Sequence, residues 1–295
     1  MTPLDDARAL ARFQELHDAT TVGLANRAQA HQAQIAADGA VKSPGPGRLN
    51  LLADGDSWFD YPLGGDFPGV HTDVLAQLTD IGQPSPRILS FAHFGYTTDQ
   101  CLGLVRRQRL VAALTDPRHG KFDAILMSAG GDNIAGNRFA IWLNDAASVG
   151  HDPARALSES RFAGALAEVR AGYDSLARLR DQHAPGTPIF VHAYDYAIPS
   201  GVGVCCVGPW LKPSLEYCGW TDEAMGAGIV HDMLTRFGSM LEQFAASTPN
   251  VVYVPTQGTL AADQWANELH PTPVGFRLIA DKFRAALAAR LPGRI

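Results

Sequence analysis

A serine, a glycine, an asparagine and a histidine, spread over some two hundred positions, are the residues of this chain whose types could do chemistry together. Ser57 ends the segment Leu51-Leu52-Ala53-Asp54-Gly55-Asp56-Ser57-Trp58, where a short apolar run closes abruptly on Gly-Asp-Ser. A hydroxyl on such a turn faces a crevice, where a neighbouring base can convert it into a nucleophile. Gly95, in Ala92-His93-Phe94-Gly95-Tyr96-Thr97-Thr98, lets backbone approach a ligand and can aim its N–H at a developing oxyanion. Asn133 follows Ser128-Ala129-Gly130-Gly131-Asp132, and its amide can point into the same crevice as a further donor. His270 lies in Trp265-Ala266-Asn267-Glu268-Leu269-His270-Pro271-Thr272-Pro273, stiffened by Pro271 and fixed by a helix start at Pro273. Taken singly, each has a plainer reading: a turn serine, a turn glycine, a helix-capping asparagine, a structural histidine.

To meet, these positions need a parallel sheet. Apolar runs at 49–53, 87–91, 124–128, 188–192 and 251–254 read as buried strands, and helical patterns occupy 70–81, 98–114, 158–183, 222–247 and 273–291. The alternation predicts a doubly wound, three-layer α/β/α sandwich around a mainly parallel five-stranded sheet. In such sheets ligands bind outside the carboxyl ends of the strands. Residues 1–47 read as a helical appendage and linker. The pattern over 4–37 places Leu10, Phe13, Leu16 and His17 on one face, and Ser43-Pro44-Gly45-Pro46-Gly47 breaks it. Residues 48–295 form the α/β domain. Within it, 197–222 interleaves prolines and glycines with Trp210, Tyr217 and Trp220, which predicts an ordered, irregular flap.

Composition narrows the function. The chain has 295 residues, 46% of them hydrophobic and 18% charged, with a net charge of −6. Neither half carries a basic block, which argues against nucleic acid as a partner. No apolar run approaches a bilayer span, so no stable membrane insertion is expected. The opening Met1-Thr2-Pro3-Leu4-Asp5-Asp6 lacks the basic-then-apolar order of a signal peptide, and a cytoplasmic location is the expectation. Cys101, Cys205, Cys206 and Cys218 are too few and too irregular for a disulfide framework or a zinc site. Reduced thiols are the simplest reading, with a bridge from Cys218 to Cys205 or Cys206 as the other.

The four blocks, in this chain order, resemble the GDSL/SGNH hydrolase family over about residues 48–291. The resemblance implies a flavodoxin-like SGNH fold and a carboxylic ester hydrolase with a serine nucleophile, a catalytic triad and an oxyanion hole. It implies no cofactor and no metal. Matched block by block, it makes Ser57 the nucleophile, His270 the base, and Ser57, Gly95 and Asn133 the oxyanion donors. The family's aspartate, three residues before the histidine, is Asn267 here. An amide can still orient the ring but stabilises the imidazolium less than a carboxylate does. Glu268, and after it Asp263, are neighbouring carboxylates that could serve instead.

The expected partner is a small-molecule ester of short or medium acyl length, a lipid or an acetylated sugar. Trp210 and Trp220 in the flap, with Trp58, Phe59 and Tyr61 opposite, could wall either an acyl chain or a sugar face. Two other readings stand beside this one. A metal-dependent phosphoesterase could draw on Asp54, Asp56, Asp132, Asn133, His192 and His270, although no Asp-x-His or His-x-His pair supports it. A catalytically weak, ligand-binding relative is favoured by Asn267 alone. His192 and Asp195 read as loop anchors. His71, His93, His119 and His151 show no ligand spacing, and Arg106-Arg107-Gln108-Arg109 reads as a solvated helix face.

Overall fold

The computed structural model describes residues 3–39, 47–61, 72–204 and 208–294, with side chains from residue 20 onward. Strands β1 (Asn50–Gly55), β2 (Arg87–Ser90), β3 (Ala124–Ser128), β4 (Ile189–His192) and β5 (Val251–Val254) form a five-stranded sheet in the order β2-β1-β3-β4-β5. Every pairing is parallel. All residues of β1, β3 and β4 are buried, which is why these strands read as unbroken apolar runs and not as alternation. The chain leaves β1 for β2 on one side and returns as β3 on the other. This strand order opens a crevice at the carboxyl ends of β1 and β3, where the Ser57 and Gly130-Gly131 segments emerge.

Helices cover both faces. On one face α2 (Val74–Ile81) packs along α10 (Pro273–Arg290); on the other, α4 (Leu104–Thr115), α7 (Glu159–His183) and α9 (Glu223–Ser247) form a second layer, joined by α3 (Thr98–Leu102). The short helices α5 (Gly131–Ile134), α6 (Phe139–Trp142) and α8 (Lys212–Tyr217) lie in the loops after β3 and β4. This is the three-layer α/β sandwich read from the sequence. No helix among the described residues is long and apolar enough to cross a membrane.

Helix α1 (Pro3–Gly39) lies along β2. Its Leu24 and His31 are buried, and Arg27 donates to the carbonyl of Ala92 (3.1 Å) and to Asp60 (2.7 Å). Asn50 Nδ2 donates to the carbonyls of His119 (2.8 Å) and Lys121 (3.1 Å), so its Oδ1 faces His31 Nε2 (2.8 Å) as acceptor. His31 Nδ1 must then accept from His119 Nδ1 (2.9 Å), and His119 is a buried structural histidine. The side chains of Leu10, Phe13, Leu16 and His17 lie outside the described residues, as do residues 43–46 of the Pro-Gly linker, His71, Cys205 and Cys206. Cys101 and Cys218 are buried free thiols.

Two sequence expectations change. The pattern at 98–114 is two helices, because Gly103 adopts an extended conformation between α3 and α4 (φ −68°, ψ 169°). Arg106, expected on a solvated face, turns inward: it is 6% exposed, donates to the carbonyl of Phe91 and lies 3.6 Å from the buried Asp54 carboxylate. An acidic group enclosed under the sheet's edge draws the nearest cation in after it.

Gly55, at the end of β1, has φ +151°, and a side chain there would meet the carbonyl of Ser128 on β3. Gly55→Ala is therefore expected to destabilise the fold by about 2–4 kcal/mol in urea titrations. Gly164 of α7 has open space around its Cα, so Gly164→Ala should stabilise by ~0.5–1 kcal/mol. Equal effects at the two positions would contradict this account of the strand end.

Candidate active site

Ser57 stands in the turn that follows β1. Asp56 N–H donates to Ser128 O (2.9 Å) and Phe59 N–H to Asp56 O (3.1 Å), so the turn is bonded to the end of β3. His270 comes from the loop that enters α10. That loop closes on itself through a bridge between Trp265 and Pro271 and through Ala266 N–H to His270 O (2.9 Å). It is followed at once by Thr272, which caps α10 by accepting from Gly275 N–H (3.2 Å). The Trp58 indole N–H donates to Leu269 O (3.0 Å) and fastens the two loops together. Ser57 Oγ lies 2.7 Å from His270 Nε2, and His270 Nδ1 lies 3.0 Å from Asn267 Oδ1.

Asn267 fixes the tautomer of the ring. Its Oδ1 also accepts the N–H groups of Leu269 (3.0 Å) and His270 (2.9 Å), while its Nδ2 donates to Tyr61 Oη (3.1 Å). Turning the amide over would set an NH2 group against two backbone N–H donors, so the carbonyl oxygen faces the ring. His270 Nδ1 then carries the proton, and Nε2 offers its lone pair to the Ser57 hydroxyl. Tyr61 packs over the imidazole (ring centroids 4.5 Å apart) and Trp210 meets it edge-on (5.6 Å). Burial pushes the His270 pKa down from 6.5 to about 3, with no carboxylate at Nδ1 to oppose it.

Glu268 follows Asn267 in sequence and serves a different element. Its carboxylate accepts four backbone N–H groups: Gly201 (2.9 Å) and Lys212 (3.1 Å) on Oε1, Trp210 (2.5 Å) and Leu211 (2.6 Å) on Oε2. With both oxygens engaged, it anchors the flap and is not the partner of the imidazole. Asp263 is exposed on the turn Ala262–Gln264. Asp195 repeats the device: it accepts from Gly258 (2.5 Å), Thr259 (2.9 Å) and Leu260 (2.7 Å), pinning the loop after β5. His192 is enclosed between the rings of Trp58, Phe59, Tyr194 and Phe283, and burial lowers its pKa to about 3.

The oxyanion candidates divide. Gly95 is exposed at the end of β2's loop with φ +75°, a conformation that favours glycine. Asn133, expected to face the crevice, is fully buried. Its Oδ1 accepts Thr98 N–H (2.8 Å) and its Nδ2 lies 3.4 Å from Glu168 Oε1, so the amide joins α5 to α3 and α7. The residue before it, Asp132, lines a small cavity with Ser57, Trp58, Ile134, Leu211 and Leu269. Of the three tryptophans assigned to substrate, Trp58 lines this cavity and Trp210 covers His270. Trp220 does neither: it is 3% exposed and donates to Asn144 O (2.9 Å) within the core.

Asp56 is buried beneath the serine and receives three donors, the Ser128 hydroxyl (2.8 Å), Trp58 N–H (3.1 Å) and the Tyr194 hydroxyl. Tyr194 in turn accepts Gly131 N–H (2.8 Å), linking the ends of β1, β3 and β4. No motif marked Tyr194, and Tyr61 stood out only as a rim aromatic; both act through distant partners. Among the described residues no three His, Cys, Asp or Glu side chains gather as a metal-binding group.

Replacing Glu268 by Gln leaves one carbonyl oxygen and an NH2 group facing four N–H donors. Glu268→Gln is expected to lower unfolding free energy by about 2–4 kcal/mol and to speed proteolytic cleavage between residues 199 and 212. A variant as stable and as resistant as the parent would show that the flap is held by something else.

No protein-family model matches the chain, and no curated protein is similar to it. Among solved structures, it is similar to an extracellular lipase from Streptomyces rimosus, with 16% identity and a TM-score of 0.50 over 81% of this chain and 99% of that one. A carbohydrate acetylesterase family member from Sinorhizobium meliloti aligns at 14% identity and a TM-score of 0.49, over 82% of this chain and 99% of that one. At these identities the likeness is one of architecture: the chain has the α/β fold of the GDSL/SGNH hydrolases.

Proposed function

We propose that this chain is a serine ester hydrolase that works through an acyl-enzyme on carboxylic esters with a short acyl group. The observation that carries the reading is the chain of contacts from Ser57 Oγ to His270 Nε2 and from His270 Nδ1–H to Asn267 Oδ1. A serine alone is a weak nucleophile; one bonded to an oriented neutral imidazole is an activated one. As Ser57 Oγ attacks the ester carbonyl, His270 Nε2 takes its proton. The N–H groups of Ser57 and Gly95 are the backbone donors for the oxyanion. His270 then protonates the departing alkoxide, and a water, activated by the same ring, releases the acid.

Asn267 supplies orientation without charge. The imidazolium formed during attack lacks a carboxylate counter-ion, which raises the barrier relative to an Asp-containing triad. The fold shared with the Streptomyces lipase is consistent with ester chemistry. Substrate size follows from the cavity, which holds about 40 Å³ and is walled by Trp58, Ile134, Leu211 and Leu269. One water needs about 10–15 Å³ of such space, so the cavity favours a two- to four-carbon acyl group over an octanoyl chain.

Hydrolysis of p-nitrophenyl acetate is expected to fall by about 10⁴–10⁶-fold in Ser57→Ala, and fluorophosphonate labelling to disappear with it. Across acetate, butyrate and octanoate esters, kcat/KM should drop by roughly tenfold or more once the chain outgrows the cavity. Hydrolysis that survives Ser57→Ala in pure protein would end the proposal.

The pH profile tests the unusual third member. Neutral imidazole is the active base, so activity is lost as pH falls through the His270 pKa; lowered to about 3, that loss lies well below the ordinary imidazole range. Asn267→Asp places a negative charge at Nδ1, which favours the imidazolium and moves the acid limb of kcat/KM upward by at least about one pH unit. An acid limb already near pH 6.5 in the parent, or unmoved in the variant, would contradict this.

A further inference from the structure

Asp132 has no part in the chemistry above, yet of the β3-loop residues that line the cavity beside Ser57, with Gly131, Ile134 and Ala135, it is the one that brings an ionisable side chain. Successive residues on a helical turn point about 100° apart. Within α5, Asp132 therefore takes the cavity side while Asn133 is turned toward Thr98 and Glu168. The amide expected at the oxyanion is engaged elsewhere, and a carboxyl group stands at the wall instead.

The surroundings of Asp132 decide its charge. From the β1 loop it faces Asp56, whose carboxylate has the Ser128 hydroxyl, Trp58 N–H and the Tyr194 hydroxyl as donors. From the β4 loop, the Tyr194 hydroxyl is committed to Asp56 and to Gly131 N–H, and Asp195, which also lines the cavity, is engaged by the N–H groups of Gly258, Thr259 and Leu260. From α3, the nearby Cys101 is a buried thiol that stays protonated. Among the described residues, no cation pairs with Asp132 and no N–H or O–H group donates to it. Two carboxyl groups in one enclosed site do not both ionise without a cation. Asp56, with three donors, keeps the charge. Burial, and then the charge of Asp56, hold the Asp132 carboxyl far above the usual carboxylate range.

We propose that Asp132, as the neutral carboxylic acid, donates a hydrogen bond to the oxyanion that forms when Ser57 attacks, completing the set begun by the Ser57 and Gly95 N–H groups. The proposal rests on the ester-hydrolase reading. A carboxylic O–H kept neutral by its site is a strong donor at neutral pH; once ionised, the same group would set a negative charge against the oxyanion. Its ionisation should therefore switch the enzyme off from the alkaline side, where His270 is already neutral.

The test is kcat/KM for p-nitrophenyl acetate from pH 5 to pH 10 in the parent, Asp132→Asn and Asp132→Ala, with circular dichroism as the check on folding. The parent should lose activity above neutrality. Asp132→Asn keeps a neutral donor, so it should retain activity within about tenfold and lose that alkaline limb. Asp132→Ala should fall by about 10²–10³-fold in kcat with KM little changed. If Asp132→Ala does not fold, the pH profile of Asp132→Asn decides alone. An alkaline limb that persists in Asp132→Asn, or a fully active Asp132→Ala, overturns the proposal while leaving Ser57-dependent hydrolysis intact. A parent with no Ser57-dependent turnover overturns the ester-hydrolase reading itself, and this proposal with it.

Discussion

Three N–H groups converge on one neutral oxygen, Asn267 Oδ1, and the geometry of the site depends on that convergence. Two are backbone donors from Leu269 and His270, so the loop is wrapped around the amide before the imidazole adds the third contact. This arrangement excludes the flipped amide and with it the wrong histidine tautomer. An aspartate at the same position would hold the ring equally well and add a charge. The orientation of Nε2 toward Ser57 thus comes from backbone geometry, and the electrostatic support that a carboxylate provides is separable from it.

The crevice gathers more acidic groups than cations, and each is accommodated differently. Asp54 lies 3.6 Å from Arg106, the one inward-turning arginine of its cluster. Asp56 relies on hydroxyl donors from Ser128 and Tyr194, and Glu268 on four backbone N–H groups. Asp132 has neither kind of partner and is held neutral. Together with a neutral, buried His270, this leaves the charge of Asp56, engaged by its three donors, in a cavity wall that Trp58, Ile134, Leu211 and Leu269 make otherwise largely apolar. A low-polarity wall strengthens whatever hydrogen bonds meet an oxyanion there.

Much of this arrangement was legible in the sequence, because it follows from strand order. The five apolar runs became the five strands to within two residues, since strands buried on both faces admit almost no polar residue. Ser57 and His270 were legible as a pair, each lying against an element end that fixes it. What was not legible turns on single-residue steps. Asp132 and Asn133 are neighbours of similar size, and only the rotation of a short helix sends one to the cavity and the other into the packing of α3 and α7. Asn267 and Glu268 divide in the same way, one to the imidazole and one to the flap. Trp220 had the composition of a substrate wall and the burial of a core residue, a distinction no local pattern encodes. Gly103, which falls inside the helical pattern over 98–114, separates two helices.

The division between Asn267 and Glu268 has a further consequence. One residue orients the imidazole and the next orders the flap, so two consecutive peptide units join the ring to the chain that covers it. Glu268 N–H also donates to Val202 O (3.2 Å), and Trp210, whose N–H binds the Glu268 carboxylate, sets its ring against His270. A displaced flap therefore loses carboxylate contacts and the aromatic cover of the imidazole together. Such shared contacts make neighbouring elements order and open as one unit. The described residues of 197–222 are fastened in part by the same loop that carries the histidine, so that order in one supports order in the other.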